Sequence, residues 1–348
     1  MKIDTNYIAD MFLKLVQVPS PVGYYSELNP VLEDIAREFS LTVQYDNKKT
    51  AFMKLEGENT DKTVAVCAHC DTLGLMVRSI DGDGMLKIRK LGGGCLANME
   101  NESVTVRTRD GRTYTGMLIC RSHSVHVFPD THTLERNEDT VRIILDENVH
   151  SKEEVEALGI QNGDIVFVDP HCEYTKTGYL KSRFIDDKGC MASCFAAIKY
   201  LKDNNLKPKY NVLFVFPYYE EVGMGATYLL EEVEEFLAVD IGLIGPDCAG
   251  NEHSVSICAK DAVGPYDYEF TSKLAEYAKQ EGCKYAIDTY FSYGSDANSS
   301  IKAGNNMRIA NIGPAVYSTH GRERAHIEGL ENTAKLLAAY FRFRRDMT

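Results

Sequence analysis

The chain has 348 residues, 44% of them hydrophobic, which is enough to bury a large core in two domains or in one domain with an insertion. Its formal net charge is −13 and it has no long Lys/Arg cluster, which argues against nucleic acid and anionic membranes as partners because both attract basic surfaces. Ten scattered cysteines without a C-x-x-C pair indicate reduced thiols rather than a zinc knuckle.

The first residues predict an amphipathic helix rather than an export signal. Ile8, Met11, Phe12 and Leu15 recur at helical spacing, and no apolar run in the chain is long enough to span a membrane. We therefore expect a cytoplasmic protein whose ligand is a small molecule or a peptide. The next strong pattern is the apolar run TVAVCAH (63–69), which predicts a buried strand.

Residues 74–168 have a different pattern, with short alternating segments separated by turn signals. Asp-Gly pairs at 81–82, 83–84 and 110–111 are typical of β-hairpins. A short helix is predicted to begin after Ser151, because Glu154 three residues later completes a capping box. This region is predicted to be a small β-rich domain inserted into the rest of the chain.

Residues 169–348 return to the α/β pattern that residues 1–73 begin. A helix is predicted over 187–203, and strands are predicted at NVLFVF (211–216) and VDIGLIG (239–245). The fold class is therefore predicted as α/β, with helices covering a largely buried sheet and the β-rich domain inserted between the two parts.

Side chains that can bind metal stand where these predicted strands end, which is where an open α/β sheet gathers its site. They are His69, Asp71, Asp186, Asp187, Glu220, Glu221, Asp240, Asp247, His320 and His326. Histidine with several carboxylates and no thiolate indicates a hydrolytic metal site rather than a structural zinc site. Two neighbouring metals need a bridging carboxylate, and Asp186 or Asp187 could serve.

Each of these residues also has an ordinary structural interpretation. A His-x-Asp pair is often only a hydrogen-bonded pair, Asp-Asp before a helix is often an N-cap, and paired acids favour a helix start. Asp240 is the hardest to explain in this way, because an unpaired carboxylate in an apolar run costs several kcal/mol unless a cation compensates it.

Five motifs in order carry a family resemblance: AHCDTLG, SRFIDDKGC, YYEEVGMGA, AVDIGLIGPD and THGRERAH. The chain resembles the M42 family of dinuclear metallo-aminopeptidases over essentially its whole length. The resemblance implies a mixed-sheet α/β/α metallopeptidase domain (residues 1–73 and 169–348) with a barrel-like dimerisation domain inserted at 74–168. It also implies two divalent metal ions per subunit, with zinc, cobalt and manganese all compatible with the ligand types.

The same resemblance assigns the site residues. His69, Asp186 and Asp240 would hold one metal, and Asp186, Glu221 and His320 the other. Glu220 would be the general base, and Asp71 would orient His69. In related enzymes the Asp-Asp peptide bond at this position is cis.

The chain also departs from the family pattern around the site. Thr72 and Tyr219 replace the usual Glu and Gln, and His320-Gly-Arg-Glu-Arg replaces a His-Ser-Pro-x-Glu run. These changes leave substrate preference open, and they leave His326 as an alternative to His320. Arg322 and Arg324 could attract an acidic substrate residue, although exposed arginines are usually plain surface.

The expected activity is removal of N-terminal residues from short peptides. Glu220 and Glu221 would need a bend in the chain to reach one centre, because neighbouring side chains of an extended segment point in opposite directions. Gly223 and Gly225 supply that freedom. The alternatives are a dimetal hydrolase of another amide, such as a deacylase, and a metal-binding scaffold without turnover.

The inserted domain is expected to mediate assembly. Its exposed strand edges would need partners, and members of the resembled family commonly form dodecamers that enclose the active sites. A homo-oligomer, a dodecamer, is therefore expected.

Overall fold

The computed structural model describes residues 1–343. Its helices are α1 (Thr5–Val16), α2 (Leu28–Glu38), α3 (Lys152–Ala157), α4 (Ile185–Asp203), α5 (Tyr268–Gln280), α6 (Asp296–Lys302) and α7 (Ile327–Phe343). The first nine strands are β1 (Val43–Tyr45), β2 (Ala51–Leu55), β3 (Asn59–Cys67), β4 (Gly74–Ile80), β5 (Leu86–Leu91), β6 (Ser103–Arg107), β7 (Thr113–Cys120), β8 (Val141–Leu145) and β9 (Ile165–Val168). The others are β10 (Glu173–Tyr174), β11 (Tyr179–Ser182), β12 (Tyr210–Phe216), β13 (Glu235–Val239), β14 (Gly242–Leu243), β15 (Val255–Lys260), β16 (Tyr285–Thr289), β17 (Arg308–Val316) and β18 (Glu323–His326).

The chain folds into two compact units. Residues 1–71 together with those from 171 onward form the main unit, and residues 72–170 form the inserted unit. No helix in the described part of the chain combines the length and the apolar composition needed to cross a membrane.

The main unit is built on a mixed sheet in the order β1-β2-β12-β3-β13-β17-β15-β16, with β14 added beside β17. Its central strands β12, β3, β13 and β17 run parallel, while β2 runs antiparallel to β12 and β15 runs antiparallel to β17. Every residue of β12 is buried, as expected for a strand covered on both faces. Because the parallel strands share a direction, their carboxyl ends come to one edge of the sheet.

The strand predicted over 239–245 is interrupted, and this correction concerns the site directly. β13 ends at Val239, and β14 resumes at Gly242 beside the same neighbour, β17. The break occurs because the Asp240 carboxylate accepts the N–H of Ile241 at 2.7 Å, a donor that a continuous strand would use in the ladder. Asp240 therefore lies just past the end of a buried strand.

The inserted unit is a closed barrel of the strands β4-β5-β8-β7-β6-β9. Two of the predicted turn glycines, Gly84 and Gly111, adopt positive φ angles in the β4–β5 and β6–β7 turns. Ser151 caps α3 as expected, since its Oγ accepts the N–H of Glu154, and the Glu154 carboxylate accepts the N–H of His150. Closure pairs both edge strands, so the argument that exposed edges require assembly does not hold for this barrel.

Candidate metal centre

His69 stands two residues beyond the end of β3 and is 2% exposed. Its Nδ1 lies 2.8 Å from the backbone oxygen of Asp71. Because a carbonyl oxygen can only accept, Nδ1 donates its proton to this oxygen, and Nε2 is the nitrogen that a metal ion could bind. That Nε2 lies 3.0 Å from Oδ1 of Asp186, so the imidazole presents a metal-binding nitrogen to a carboxylate.

Asp186 and Asp187 occupy the start of α4, where both residues depart from helical geometry and the peptide bond between them is cis. The Asp186 carboxylate lies between two histidines, with Oδ1 3.0 Å from His69 Nε2 and Oδ2 3.6 Å from His320 Nε2. The Asp187 carboxylate accepts the backbone N–H of His69 at 3.0 Å. Asp186 is thus the carboxylate placed to bridge.

Glu220 and Glu221 begin a short 3₁₀ turn directly after β12, so the chain bends where the paired acids require it. Gly223 closes this turn with φ of 71°, and a Cβ on Gly225 would collide with the Asp296 carboxylate. Oε2 of Glu220 lies 4.0 Å from His69 Nε2. Oε2 of Glu221 lies 3.5 Å from His320 Nε2.

The Asp71 carboxylate holds this turn in place. Its Oδ1 and Oδ2 accept the backbone N–H groups of Glu220 and Glu221 at 3.1 and 3.2 Å. Its Oδ1 is 3.5 Å from His69 Nδ1, farther than the Asp71 backbone oxygen. Asp71 therefore touches His69 mainly through its backbone, while its side chain fixes the paired acids.

The candidate ligands form two overlapping groups. Within each group the possible ligand atoms all lie within 4.8 Å of one another: His69, Asp186, Asp187 and Asp240 in the first, and Asp186, Glu221 and His320 in the second. Asp186 belongs to both groups. The five residues that the sequence predicts as metal ligands therefore lie in one continuous cluster together with Asp187, the other carboxylate that the sequence offered as a bridge. We call these six residues the acid cluster.

Burial has the largest effect on the pKa values in this cluster, and repulsion between its carboxylates adds to it. Burial and the nearby Asp186 raise the pKa of Asp240 to about 8. Burial is also the main reason that the pKa values of Asp187 and Glu220 are raised well above the usual carboxyl range. Asp186 differs: burial alone would raise its pKa, but the hydrogen bond to His69 holds it below the usual value.

Glu323 is a site residue that sequence reasoning missed. It is 2% exposed, and its carboxylate accepts the backbone N–H of Asp186 at 3.0 Å and that of His320 at 3.2 Å. It therefore joins the loop of the bridging carboxylate to the loop of the last candidate ligand. The only sequence signal was its position three residues after His320, and this did not reveal its burial.

The other candidates from the sequence lie elsewhere. His326 contacts Thr177, His253 and Glu328 rather than the acid cluster. Asp247 is exposed. The two arginines of the loop are ion-paired, Arg322 with Glu173 and Arg324 with Glu252, so neither presents an unmatched charge to a substrate.

The residues present fit a pair of divalent ions. The cluster offers imidazole nitrogen and carboxylate oxygen without thiolate, a donor set that suits zinc, cobalt or manganese. Several buried carboxylates within a few ångström repel one another, and divalent ions would neutralise them. The shared position of Asp186 matches a carboxylate that bridges two ions.

The chain is similar in sequence to a known family of peptidases. The model of the M42 glutamyl aminopeptidase family matches residues 50–336. The candidate aminopeptidase YhfE of Bacillus subtilis is 38% identical over 332 residues, which cover 95% of this chain and 96% of that protein. The lysyl aminopeptidase of Pyrococcus furiosus is 23% identical over 341 residues, which cover 95% of each chain.

A solved structure shares the fold. The TET1 peptidase of Pyrococcus horikoshii, described as able to assemble into a tetrahedron or a large octahedral shell, superposes with a TM-score of 0.84. The two chains are 23% identical, and the match covers 97% of this chain and 100% of the other.

Proposed function

This chain belongs to the M42 glutamyl aminopeptidase family and is a peptide hydrolase, and we propose that it removes N-terminal residues from short peptides at a centre of two divalent metal ions. The observation that carries the proposal is the pair of overlapping ligand groups that share Asp186. A single His-carboxylate contact would fit many structural roles, but two groups joined by one carboxylate match the layout of a dimetal hydrolase.

In this proposal His69, Asp186 and Asp240 hold one ion, and Asp186, Glu221 and His320 hold the other. Ions bound there would supply Lewis acidity, which acidifies water and polarises the scissile carbonyl. Zinc or cobalt is the expected ion, and manganese would also suit the donors. Asp187, whose carboxylate accepts the His69 N–H, would position the first group from behind.

Glu220 is the proposed general base. Its Oε2 is 4.0 Å from His69 Nε2 and its side chain is 14% exposed, so it borders the ligands while remaining open to a water molecule. Glu220 would accept a proton from the attacking water at this carboxylate and deliver it to the leaving amine. The bend at residues 220–222 supports a separate role for Glu221 as a ligand, since its Oε2 lies 3.5 Å from His320 Nε2.

Asp71 and Glu323 are proposed to position these groups. The Asp71 carboxylate holds the backbone of Glu220 and Glu221, and Glu323 holds the backbone of Asp186 and His320. The proposed ligands lie on five separate segments, so without these contacts they could move relative to one another, and small displacements of reacting groups lower the rate steeply.

The proposed substrates are short peptides with a free amine, which the carboxylates and the metal would accept. The side-chain preference is not set by Arg322 or Arg324, because both guanidinium groups are already paired with glutamates. A preference for acidic N-terminal residues, if found, would need another cationic group.

The direct test compares amino-acid p-nitroanilides with their N-acetylated analogues, using protein reconstituted with zinc or cobalt. Cleavage of the free-amine compounds supports an aminopeptidase. Cleavage of the blocked compounds alone would instead indicate a deacylase or another amidohydrolase. No turnover of either class with any metal would support a metal-binding scaffold.

A closed homo-oligomer, a dodecamer, is the proposed assembly, and the inserted barrel is the proposed contact region. The assemblies described for the horikoshii TET1 peptidase support this proposal. Met117 and Ile144 add a local reason, because they are paired in register on β7 and β8 and are 38% and 41% exposed. Light scattering should show a large particle in the wild type and smaller species in Met117→Lys/Ile144→Lys; a wild-type monomer at micromolar concentration would contradict the proposal.

A further inference from the structure

A second kind of ligand cluster lies in the main unit apart from the acid cluster. His253, His326 and Glu328 bring two imidazole nitrogens and a carboxylate oxygen within 4.8 Å of one another. His253 precedes β15, His326 ends β18, and Glu328 lies in the first turn of α7. Two segments distant in sequence, residue 253 and residues 326–328, therefore converge on one small group, which we call the His253 cluster.

The contacts within the His253 cluster are those of a preformed site. The two imidazole centroids are 4.2 Å apart, and His253 Nδ1 lies 2.9 Å from Oε2 of Glu328. His326 Nε2 donates to the backbone oxygen of Thr177 at 2.9 Å, which leaves Nδ1 as the nitrogen with a lone pair. A ring N–H donated to a carbonyl is the usual outer contact of a metal-bound histidine.

Ion binding would displace the hydrogen bond between His253 and Glu328, and two further interactions would be replaced. The backbone N–H of Glu328 approaches His326 Nδ1 at 3.1 Å, but it lies in the first turn of a helix, where N–H groups are commonly satisfied by water. Lys284 pairs with Oε1 of Glu328 at 2.6 Å, and its side chain is 61% exposed and can swing into solvent. The charge of Arg324 is not in competition, because Arg324 is paired with Glu252 and stacked on Tyr179.

Access also favours an ion. The side chains of His253 and Glu328 are 35% and 30% exposed, so an ion could enter and keep water in its remaining coordination positions. Two imidazoles and one carboxylate suit borderline ions such as Zn²⁺ rather than Mg²⁺ or Ca²⁺, which prefer oxygen ligands alone.

We propose that the His253 cluster is a separate zinc-binding site, which ties the start of β15 to the end of β18 and the start of α7. It does not depend on the proposed peptidase mechanism, since it shares no residue with the acid cluster. Its position has a structural consequence: β18 begins with Glu323, which holds Asp186 and His320, and ends with His326. Zinc would anchor the far end of the strand that supports the acid cluster.

The test is a zinc count on the full chain after chelator treatment and reconstitution with Zn²⁺. His253→Gln and Glu328→Gln should each bind one zinc fewer per chain than the wild type. His150→Gln removes an exposed histidine of the inserted unit and should leave the count unchanged. Equal counts in the wild type and His253→Gln would overturn the proposal.

A variant without a functional acid cluster tests the His253 cluster separately. Asp186→Asn/Asp240→Asn should still bind one zinc and should unfold at a higher temperature with Zn²⁺ than without it. Adding His253→Gln should abolish both effects. No zinc in the double variant, or a zinc that persists after His253→Gln, would show that the cluster does not hold the ion.

Discussion

Carboxylates have different partners in the two units of this chain, as Asp81 and Asp240 show. In the inserted unit, Asp81 lies 2.8 Å from Arg142 and 2.9 Å from Lys87. Burial alone would raise the pKa of Asp81, but these cations hold it below the usual value. In the main unit, burial and Asp186 raise the pKa of Asp240 to about 8.

This difference indicates which carboxylates would be neutralised by a bound metal ion rather than by a lysine or arginine of the chain. The buried Lys188 of the main unit follows the Asp-Asp pair, yet its ammonium donates to Ser20 Oγ and the backbone oxygen of Cys70 rather than to the acid cluster. Where the chain supplies its own cations, as at Asp81, the carboxylate is structural. Where it supplies only histidines, the arrangement fits metal ions.

Removal of metal should have the largest effect. Dialysis against a chelator should abolish peptidase activity, and zinc or cobalt should restore it. The reason is that the described acid cluster consists of histidines and carboxylates, so the metal ions would be the groups that polarise the scissile carbonyl. Circular dichroism on the stripped protein serves as the folding control. Full activity in protein that elemental analysis shows to be metal-free would contradict the assignment of the main-unit carboxylates to metal binding.

Glu323→Gln should have the second-largest effect. It should weaken metal binding indirectly, through the backbone of Asp186 and His320. One of the two acceptor oxygens for Asp186 and His320 becomes an amide donor, so the two loops should lose their common anchor. Loss of such outer contacts typically lowers metal affinity by about 10–100-fold, which competition with a zinc indicator would measure. Glu153→Gln, an exposed change in α3, is the matched control, and equal affinities in the two variants would contradict this role.

Arg142→Met tests whether the ion pair with Asp81 in the inserted unit stabilises the fold. Arg142 is 3% exposed, and its loss would leave Asp81 with Lys87 as its remaining cation. The expected cost is about 1–3 kcal/mol of unfolding free energy, the usual range for a buried polar group that loses a partner. Urea unfolding measures it, and metal content should stay at the wild-type value; a change in metal content without a change in stability would reverse the assignment.

Lowering the pH should also weaken the stabilising contribution of the Asp81 charge to the free energy of unfolding, and this effect should be the smallest. Because the folded-state pKa of Asp81 is lowered, its stabilising effect is present above the unfolded carboxyl value of about 3.9 and is lost as pH falls through the folded value. The stability difference between wild type and Asp81→Asn should therefore shrink on acidification below that value. A difference that stays constant down to the acid transition would show that Asp81 is not stabilised by its charge.

The sequence predicted the features that depend on local pattern. Strand β12, helix α4 and the turn glycines of the barrel follow from apolar runs and Asp-Gly pairs, and the paired acids sit on a bend as expected. Burial between distant segments could not be predicted: Glu323 resembles any charged loop residue until Asp186 and His320 are brought to it.

Two predictions from the sequence were wrong, for different reasons. The strand predicted over 239–245 breaks because the Asp240 side chain takes a backbone donor, which an apolar run does not reveal. The strand edges expected to be exposed are paired because β4 and β9 close the barrel, a long-range pairing that alternation along the chain cannot show.

The central claim is that the adjacent acids have different roles, with Glu221 as a ligand and Glu220 as the base. The most direct measurement is metal per chain by elemental analysis beside turnover for Glu220→Gln and Glu221→Gln, each relative to the wild type. Glu220→Gln should keep the wild-type metal content while turnover falls by about 10²–10⁴-fold. Glu221→Gln should bind less metal and regain activity in part at high metal concentration. Loss of metal in Glu220→Gln equal to that in Glu221→Gln, or near-normal turnover in Glu220→Gln, would contradict the account.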